Sequence, residues 1–274
     1  MSIFNYPDMH VHTEFSKNDC KCPIDRYLLL LEDGIGKSIG FSDHLHPVTE
    51  WTSEQLNFPV NRFDDAGYDA AVRAAQARGL NVYKGIEVTY EERAKEYTVE
   101  RISQSEYDYL IGATHSFDGF WMSRNYYQSV RPGGAFDWIV NRYHDAVLET
   151  VRVGLFDVLA HMGLYKRFLL PEQDLLVYAA DLISEREDEV AKVCAQSGII
   201  VEVNTSSLSN SGKTMPTDDF LRRFRHYGGE RVALGSDAHD AKDLNQNFDF
   251  AADMLRTLGF RYLFYPWSQT PLAL

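Results

Sequence analysis

Asp8-Met9-His10-Val11-His12-Thr13 is the stretch from which the rest of the chain can be read. Side chains two apart on an extended strand point to the same side, so this run sets the imidazoles of His10 and His12 next to each other. Two-histidine spacings serve zinc, but two ligands do not complete a site. The missing ligands have to come from other elements that end in the same place.

Working outward, short β-branched or aromatic runs recur between longer segments of helical period, which is the pattern of successive β-α units and a mainly parallel sheet. Strands are predicted at residues 8–12, 38–42, 82–88, 109–114, 157–160, 199–204 and 232–235. Helices are predicted at 63–78, Ala-rich with Gly79 as a stop, at 136–151 behind Gly133-Gly134, and at 175–196 ahead of Gly198. Residues 46–61 and 117–134 mix Pro, Gly, Ser and Trp without a period and read as long loops. No repeat or low-complexity linker marks a boundary, and 274 residues suit one α/β barrel, so the expectation is a single domain over 1–274.

Nearly every predicted strand delivers a metal-binding residue at or just after its C-terminal end. After His10 and His12 come Asp43 and His44, then Glu87, His115, His161, and finally Asp237 and His239. Only the strand ending at Asn204 lacks a strong ligand. In parallel β/α barrels these strand ends share one face, so residues far apart in sequence converge there. An acidic residue inside a buried strand is costly unless paired or metal-bound, so Glu87 reads as a bridging ligand ahead of the alternative, a helix-capping or surface carboxylate. Asp237 reads as a ligand ahead of the alternative, an N-cap for the next segment. A lone histidine is more often a hydrogen-bonded core or surface residue, and His46, His144 and His226 take that reading. Cys20 and Cys22 form a C-x-C, but no second cysteine pair completes a structural zinc site.

Composition narrows the function further. With 45% hydrophobic and 24% charged residues the chain has apolar surface enough for one core, and a formal charge of −13 opposes a sequence-independent grip on long nucleic acid. A small phosphate ester is still allowed, because bound metal inverts the local charge. The N-terminal residues show neither a basic region nor a long apolar one, the obvious apolar run at 27–31 is far too short to span a bilayer, and three cysteines suit a reducing compartment, so the expected location is cytoplasmic, away from membranes. Oligomeric state is not legible.

The chain resembles the PHP (polymerase and histidinol phosphatase) domain family, in particular its histidinol-phosphatase-like branch. The resemblance rests on Asp8-Met9-His10-Val11-His12-Thr13, Phe41-Ser42-Asp43-His44, Gly85-Ile86-Glu87, Gly112-Ala113-Thr114-His115, Asp157-Val158-Leu159-Ala160-His161 and Gly235-Ser236-Asp237-Ala238-His239, in the family's order across essentially the whole chain. It implies a distorted (β/α)7 TIM-like barrel with two or three divalent metal ions, Zn, Mn or Fe. His10, His12, Glu87 and Asp237 would hold the first ion, and Glu87, His115 and His161 the second. His44 and His239 would hold a third with a residue from the loop after the first strand. The implied activity is hydrolysis of a small phosphate monoester such as histidinol phosphate, as in histidine biosynthesis. Two close ions would lower the pKa of a shared water and give a hydroxide for in-line attack on phosphorus. Glu87, Asp237 and His239 are the candidate catalytic residues, with His239 or a water protonating the leaving group.

Two positions depart from the family pattern. The loop residue six places after His12 is Asn18 where relatives have His or Asp, and its neighbour Asp19 is the candidate ligand in its place. Histidinol phosphatases resembling this chain have an arginine after the Asn-Thr-Ser segment, whereas here Asn204-Thr205-Ser206 runs into Ser207-Leu208-Ser209. Arg167 and Lys213 are the candidate substrate-binding cations, and Lys213 reads equally as a solvated surface cation. Two other readings stand beside the phosphatase: a PHP enzyme acting on a nucleotide or another phosphoester, and a catalytically silent metal-binding domain.

Overall fold

The computed structural model describes residues 4–17, 19–56 and 63–274. Seven strands follow one another: β1 (Asp8–Val11), β2 (Ile39–Phe41), β3 (Val82–Thr89), β4 (Tyr109–Ala113), β5 (Val158–Leu159), β6 (Ile200–Asn204) and β7 (Val232–Gly235). Each pairs in parallel with the next along the chain. All seven predicted strands are present, with ends shifted by no more than a residue or two. A two-residue strand, His44–Leu45, resumes the register of β2 against β3 after a break at Ser42-Asp43, placing His44 opposite Glu87.

The sheet curls until β7 and β1 nearly meet. Ala238, just past β7, bridges Val11, its carbonyl accepts from the amide of His12 at 2.9 Å, and its own amide donates to His10 at 3.3 Å. The buried Asp8 carboxylate adds a second tie, accepting from the amides of Ser236 and Asn245 at 3.0 Å each. Burial pushes the Asp8 carboxyl up to about 6, against the pull of these donors. The result is a nearly closed barrel in the α/β class.

Helices cover the barrel from outside: α1 (Ile24–Glu32), α2 (Pro47–Leu56), α3 (Asp65–Ala77), α4 (Lys95–Ser103), α5 (Gly134–Arg152), α6 (Ala180–Ser197), α7 (Asp218–His226) and α8 (Phe248–Thr257). In α3, Tyr68, Val72 and Ala75 recur at the i, i+4, i+7 spacing of a buried face, and Asp64 caps the start by accepting from the Gly67 amide. Inside the barrel, Tyr109 lies over two glycines whose missing side chains make room for it. A Cβ at Gly85 would sit 2.1 Å from Cζ of Tyr109, and one at Gly40 would sit 2.3 Å from its hydroxyl oxygen. That hydroxyl donates to the Met9 carbonyl at 2.7 Å, tying β4 to β1.

Three expectations about the connections change. The loop predicted at 46–61 contains α2, with Pro47 as its first residue, and its positions 57–61 lie outside the described residues. Tertiary pairing overrides the weak period there: the Arg101 guanidinium of α4 donates to the buried Glu50 carboxylate at 2.8 Å. The loop predicted at 117–134 contains a hairpin, Ser116–Phe117 with Phe120–Trp121, and a short helix, Arg124–Ser129. The helix predicted at 175–196 is two, Leu175–Tyr178 and α6, separated at Ala179 where the backbone leaves helical geometry. Among the described residues no helix is long and apolar enough to cross a membrane.

Candidate metal centre

Because all seven strands are parallel, their C-terminal ends open on one face, and the residues singled out in the sequence meet there. Nε2 of His10 lies 3.4 Å from Oε2 of Glu87 and 3.9 Å from Oδ1 of Asp237. Nε2 of His12 lies 3.7 Å from the same Glu87 oxygen and 3.2 Å from the same Asp237 oxygen. Two ligand atoms on a tetrahedral zinc are about 3.3 Å apart, given zinc–ligand distances near 2.0–2.1 Å. The His10–Glu87 and His12–Asp237 separations match such an edge, and the other two are somewhat wider. Nε2 of His10 and Nε2 of His12 are buried without a hydrogen-bond partner, and Oε2 of Glu87, which both of them face, also lies 2.7 Å from Nδ1 of His44. Unpaired buried nitrogens that converge on a carboxylate are what a cation would satisfy.

The other oxygen of Glu87 faces a second group: Oε1 is 2.7 Å from Nε2 of His161 and 3.5 Å from Nε2 of His115. A third set lies nearer solvent, where Oδ2 of Asp19 is 2.7 Å from Nε2 of His44 and 2.8 Å from Nε2 of His239. Asp19 thus reaches both histidines, while Asn18 lies outside the described residues. His239 keeps its Nε2 for that contact because its Nδ1 donates to the Asp237 carbonyl at 2.9 Å.

Two of the candidate ligands are held in unusual backbone. Asp237 has φ +54° and His161 φ +21°, a region that residues with side chains rarely adopt and that recurs at functional sites. The His161 amide donates to Oε2 of Glu202 at 2.7 Å, which fixes this geometry. Oε1 of the same carboxylate accepts from Nδ1 of His10 at 2.6 Å, so His10 turns its Nε2 toward Glu87 and Asp237. Glu202, fully buried in β6, is a residue that the reading of strand ends leaves out, because that strand ends at Asn204. Val201-Glu202-Val203 carries the same local signal as Glu87, a carboxylate inside a buried strand.

The electrostatics keep both carboxylates ionised and divide the imidazoles into two kinds. Although burial opposes ionisation, His10, His115 and His44 hold the Glu87 carboxyl well below its usual range, and His12, His10 and His239 do the same for Asp237. Burial, with neighbouring imidazoles, keeps His12 and His115 well below their ordinary value. Burial disfavours the His44 cation too, but Glu87 and Asp19 overcome it and push His44 up to about 10. His10 also rises, because Glu202 and Glu87 outweigh burial. Without metal, protons on these two rings take the place of positive ions.

Asp43 turns away from this cluster. Its buried carboxylate accepts from the amide and hydroxyl of Thr13 and from the Ser16 hydroxyl, bracing the loop after β1, and burial pushes it up to about 6. Cys20, Cys22 and Cys194 are buried free thiols. The Cys20 thiol, pushed up to about 12 by burial, donates toward the carbonyls of His12 and His239. His144 bonds the Val140 carbonyl within α5, and His226 lies against Tyr227 at the end of α7, as their core and surface readings anticipate. His46 differs, because it lines the cavity over the metal-type residues.

That cavity, of about 750 Å³, is walled by His44, His46, His115, His161, Asp237 and His239, with Trp121, Arg167, Ser206 and Ser209 around them. Arg167 is exposed and also lines a neighbouring cavity of about 460 Å³, which contains Lys213. Of the two candidate cations, Arg167 stands at the candidate metal centre and Lys213 next door.

Residues 8–206 match the family model described as the PHP domain. A protein of Clostridium acetobutylicum named "probable histidinol-phosphatase" is 25% identical over 264 residues, 94% of this chain and 96% of that protein. One of the same name from Deinococcus radiodurans is 25% identical over 265 residues, 93% and 94% of the two chains. Among solved structures, histidinol phosphate phosphatase from Lactococcus lactis, complexed with zinc, L-histidinol and phosphate, matches with a TM-score of 0.77 at 19% identity. The match covers 96% of this chain and 98% of that one.

Proposed function

The chain belongs to the PHP domain family, and from that premise we propose that it is a metal-dependent phosphoesterase hydrolysing a small phosphate monoester, with L-histidinol phosphate the first candidate. The observation that carries this reading is the Glu87 carboxylate, buried between His10 and His12 on one side and His115 and His161 on the other. In this reading His10, His12, Glu87 and Asp237 hold one divalent ion, and Glu87, His115 and His161 a second. Asp19, His44 and His239 hold a third. Zinc, manganese and iron all accept such imidazole and carboxylate ligands. The family match ends at 206, yet β7 pairs with β6 in register and carries Asp237 and His239 just beyond it, so the catalytic unit is read as continuing through 1–274.

Bound there, such ions supply an acidified water as nucleophile and positive charge against the phosphoryl oxygens. The chain's own residues position and exclude. Glu87 bridges, Glu202 orients His10 and anchors His161, and Arg167 reaches the cavity with a guanidinium suited to a phosphate's oxygens. With Nε2 of His239 engaged by the third site, its Nδ1 proton is committed to the Asp237 carbonyl, so leaving-group protonation falls to water.

One observation favours a second substrate within this class. Ser206 and Ser209 line the cavity in the segment where the family resemblance implies an arginine, and Lys213 faces the adjoining cavity instead. A monoester with a different leaving group fits that change.

The test is hydrolysis of L-histidinol phosphate by protein reconstituted separately with Zn, Mn and Fe, with His115→Ala as blank. Activity present in the parent and lost in the blank supports the reading. Metal-loaded parent that cleaves another phosphate monoester but leaves histidinol phosphate intact overturns the substrate alone. No cleavage of any phosphoester overturns the enzyme reading.

A further inference from the structure

Two residues past His44, the ring of His46 stacks 5.1 Å from that of His44 and packs edge-on against Trp121 at 5.0 Å. His44, His46 and His115 bring ligand-type atoms within 4.8 Å of one another, so His46 is either one more metal ligand or something else facing the same space. Thr89, at the end of β3, distinguishes the two. Its buried hydroxyl lies 2.8 Å from Nδ1 of His46 and 2.8 Å from Nδ1 of His115, and among the described residues it bonds nothing else.

A hydroxyl has one hydrogen to give and lone pairs to accept with. Nε2 of His115 faces Glu87 at 3.5 Å, so as a ligand His115 must carry its proton on Nδ1 and donate to Thr89. The Thr89 hydrogen then goes to His46, whose Nδ1 becomes the acceptor and whose proton sits on Nε2. If Thr89 accepted from both rings, its own buried hydrogen would be left without a partner, which folded proteins avoid. A protonated Nε2 cannot ligate a metal. It can donate a hydrogen bond, and among the described residues no group accepts one from it.

We propose that His46 is a neutral hydrogen-bond donor to the phosphoryl group, held in its Nε2-protonated form through the Thr89 hydroxyl by His115. The proposal rests on the phosphoesterase reading for the identity of the anion. A neutral imidazole suits the place, since it contributes a fixed dipole toward developing oxygen charge without competing with the metal sites for protons or ligands.

Three measurements test it without needing turnover. In zinc-loaded, ¹⁵N-labelled protein, long-range ¹H–¹⁵N correlation is expected to show His46 protonated at Nε2 and His115 at Nδ1; His46 protonated at Nδ1 overturns the proposal. His46→Gln, which retains a donor, is expected to hold as many ions per chain as the parent, and loss of an ion would make His46 a ligand. His46→Ala is expected to weaken binding of inorganic phosphate to the zinc-loaded protein by about tenfold or more, the scale of one hydrogen bond to a charged group. Unchanged phosphate affinity at unchanged metal content overturns the proposal. Failure to hydrolyse any phosphoester would sink the enzyme reading and leave these three results to decide the role of His46.

Discussion

Oε1 of Glu87 lies 2.7 Å from Nε2 of His161, 74 positions further along the chain, while its partner oxygen turns to His10 and His12. One carboxylate thus belongs to two clusters of ligand-type atoms. Glu87→Ala is therefore expected to lower metal content by two ions per chain, read by elemental analysis after gel filtration. A loss of one ion contradicts the bridging role.

Glu202 touches none of the space where metal would sit, yet it holds Nδ1 of His10 and the amide of His161. Partners of this kind set a histidine's tautomer, and their removal typically weakens metal binding by about 10–100-fold. Glu202→Gln keeps the volume and weakens both contacts. Competition with a chromophoric chelator is expected to show a loss in that range, and unchanged affinity would reduce Glu202 to a structural carboxylate.

Arg167 and Lys213 entered the sequence reading together, and the structure separates them, with only Arg167 in the cavity of the candidate metal centre. Arg167→Ala is expected to raise KM for a phosphate monoester by about tenfold or more, as befits a charge-assisted hydrogen bond, with metal content intact. Lys213→Ala is expected to change KM less than threefold. If Lys213→Ala has the larger effect, the substrate extends into the adjoining cavity.

The barrel was legible because burying strands on both faces leaves short apolar runs, and those at 82–88, 109–114 and 232–235 reappear almost unchanged. The candidate ligands were legible for a related reason, since His, Asp and Glu at the ends of buried strands stand out against apolar surroundings. What escaped depends on contacts between distant segments. Helix α2 owes its place partly to Arg101 of α4, an ion pair with no local trace. Glu202 lies two residues before the end of its strand, away from the positions where strand ends converge, and His46 reads in the sequence as a lone histidine, a core or surface residue. The role proposed for it depends on Thr89, which lies between two rings.

His44 gives the site a pH dependence whose sign can be worked out. Its Nδ1 lies 2.7 Å from Glu87 and its Nε2 2.7 Å from Asp19, and these carboxylates overcome burial to raise it from an ordinary 6.5 to about 10. A group whose folded pKa lies above its unfolded one adds stability that is complete below the unfolded value and is lost as pH rises through the folded value. Metal-free protein is therefore expected to lose stability between pH 6.5 and about 10, and His10, raised for the same reason by Glu202 and Glu87, acts in the same direction. Metal displaces these protons, so zinc-loaded protein should not show that loss, and zinc uptake near pH 7.5 should release protons. Urea denaturation at pH 6.5 and 9 with and without zinc measures the first effect, and calorimetric titration in buffers of different ionisation enthalpy the second. Metal-free stability that rises across that range, or uptake with no proton release, would mean that His44 is already neutral in the folded protein and that the Glu87 and Asp19 carboxylates do not hold a proton on it.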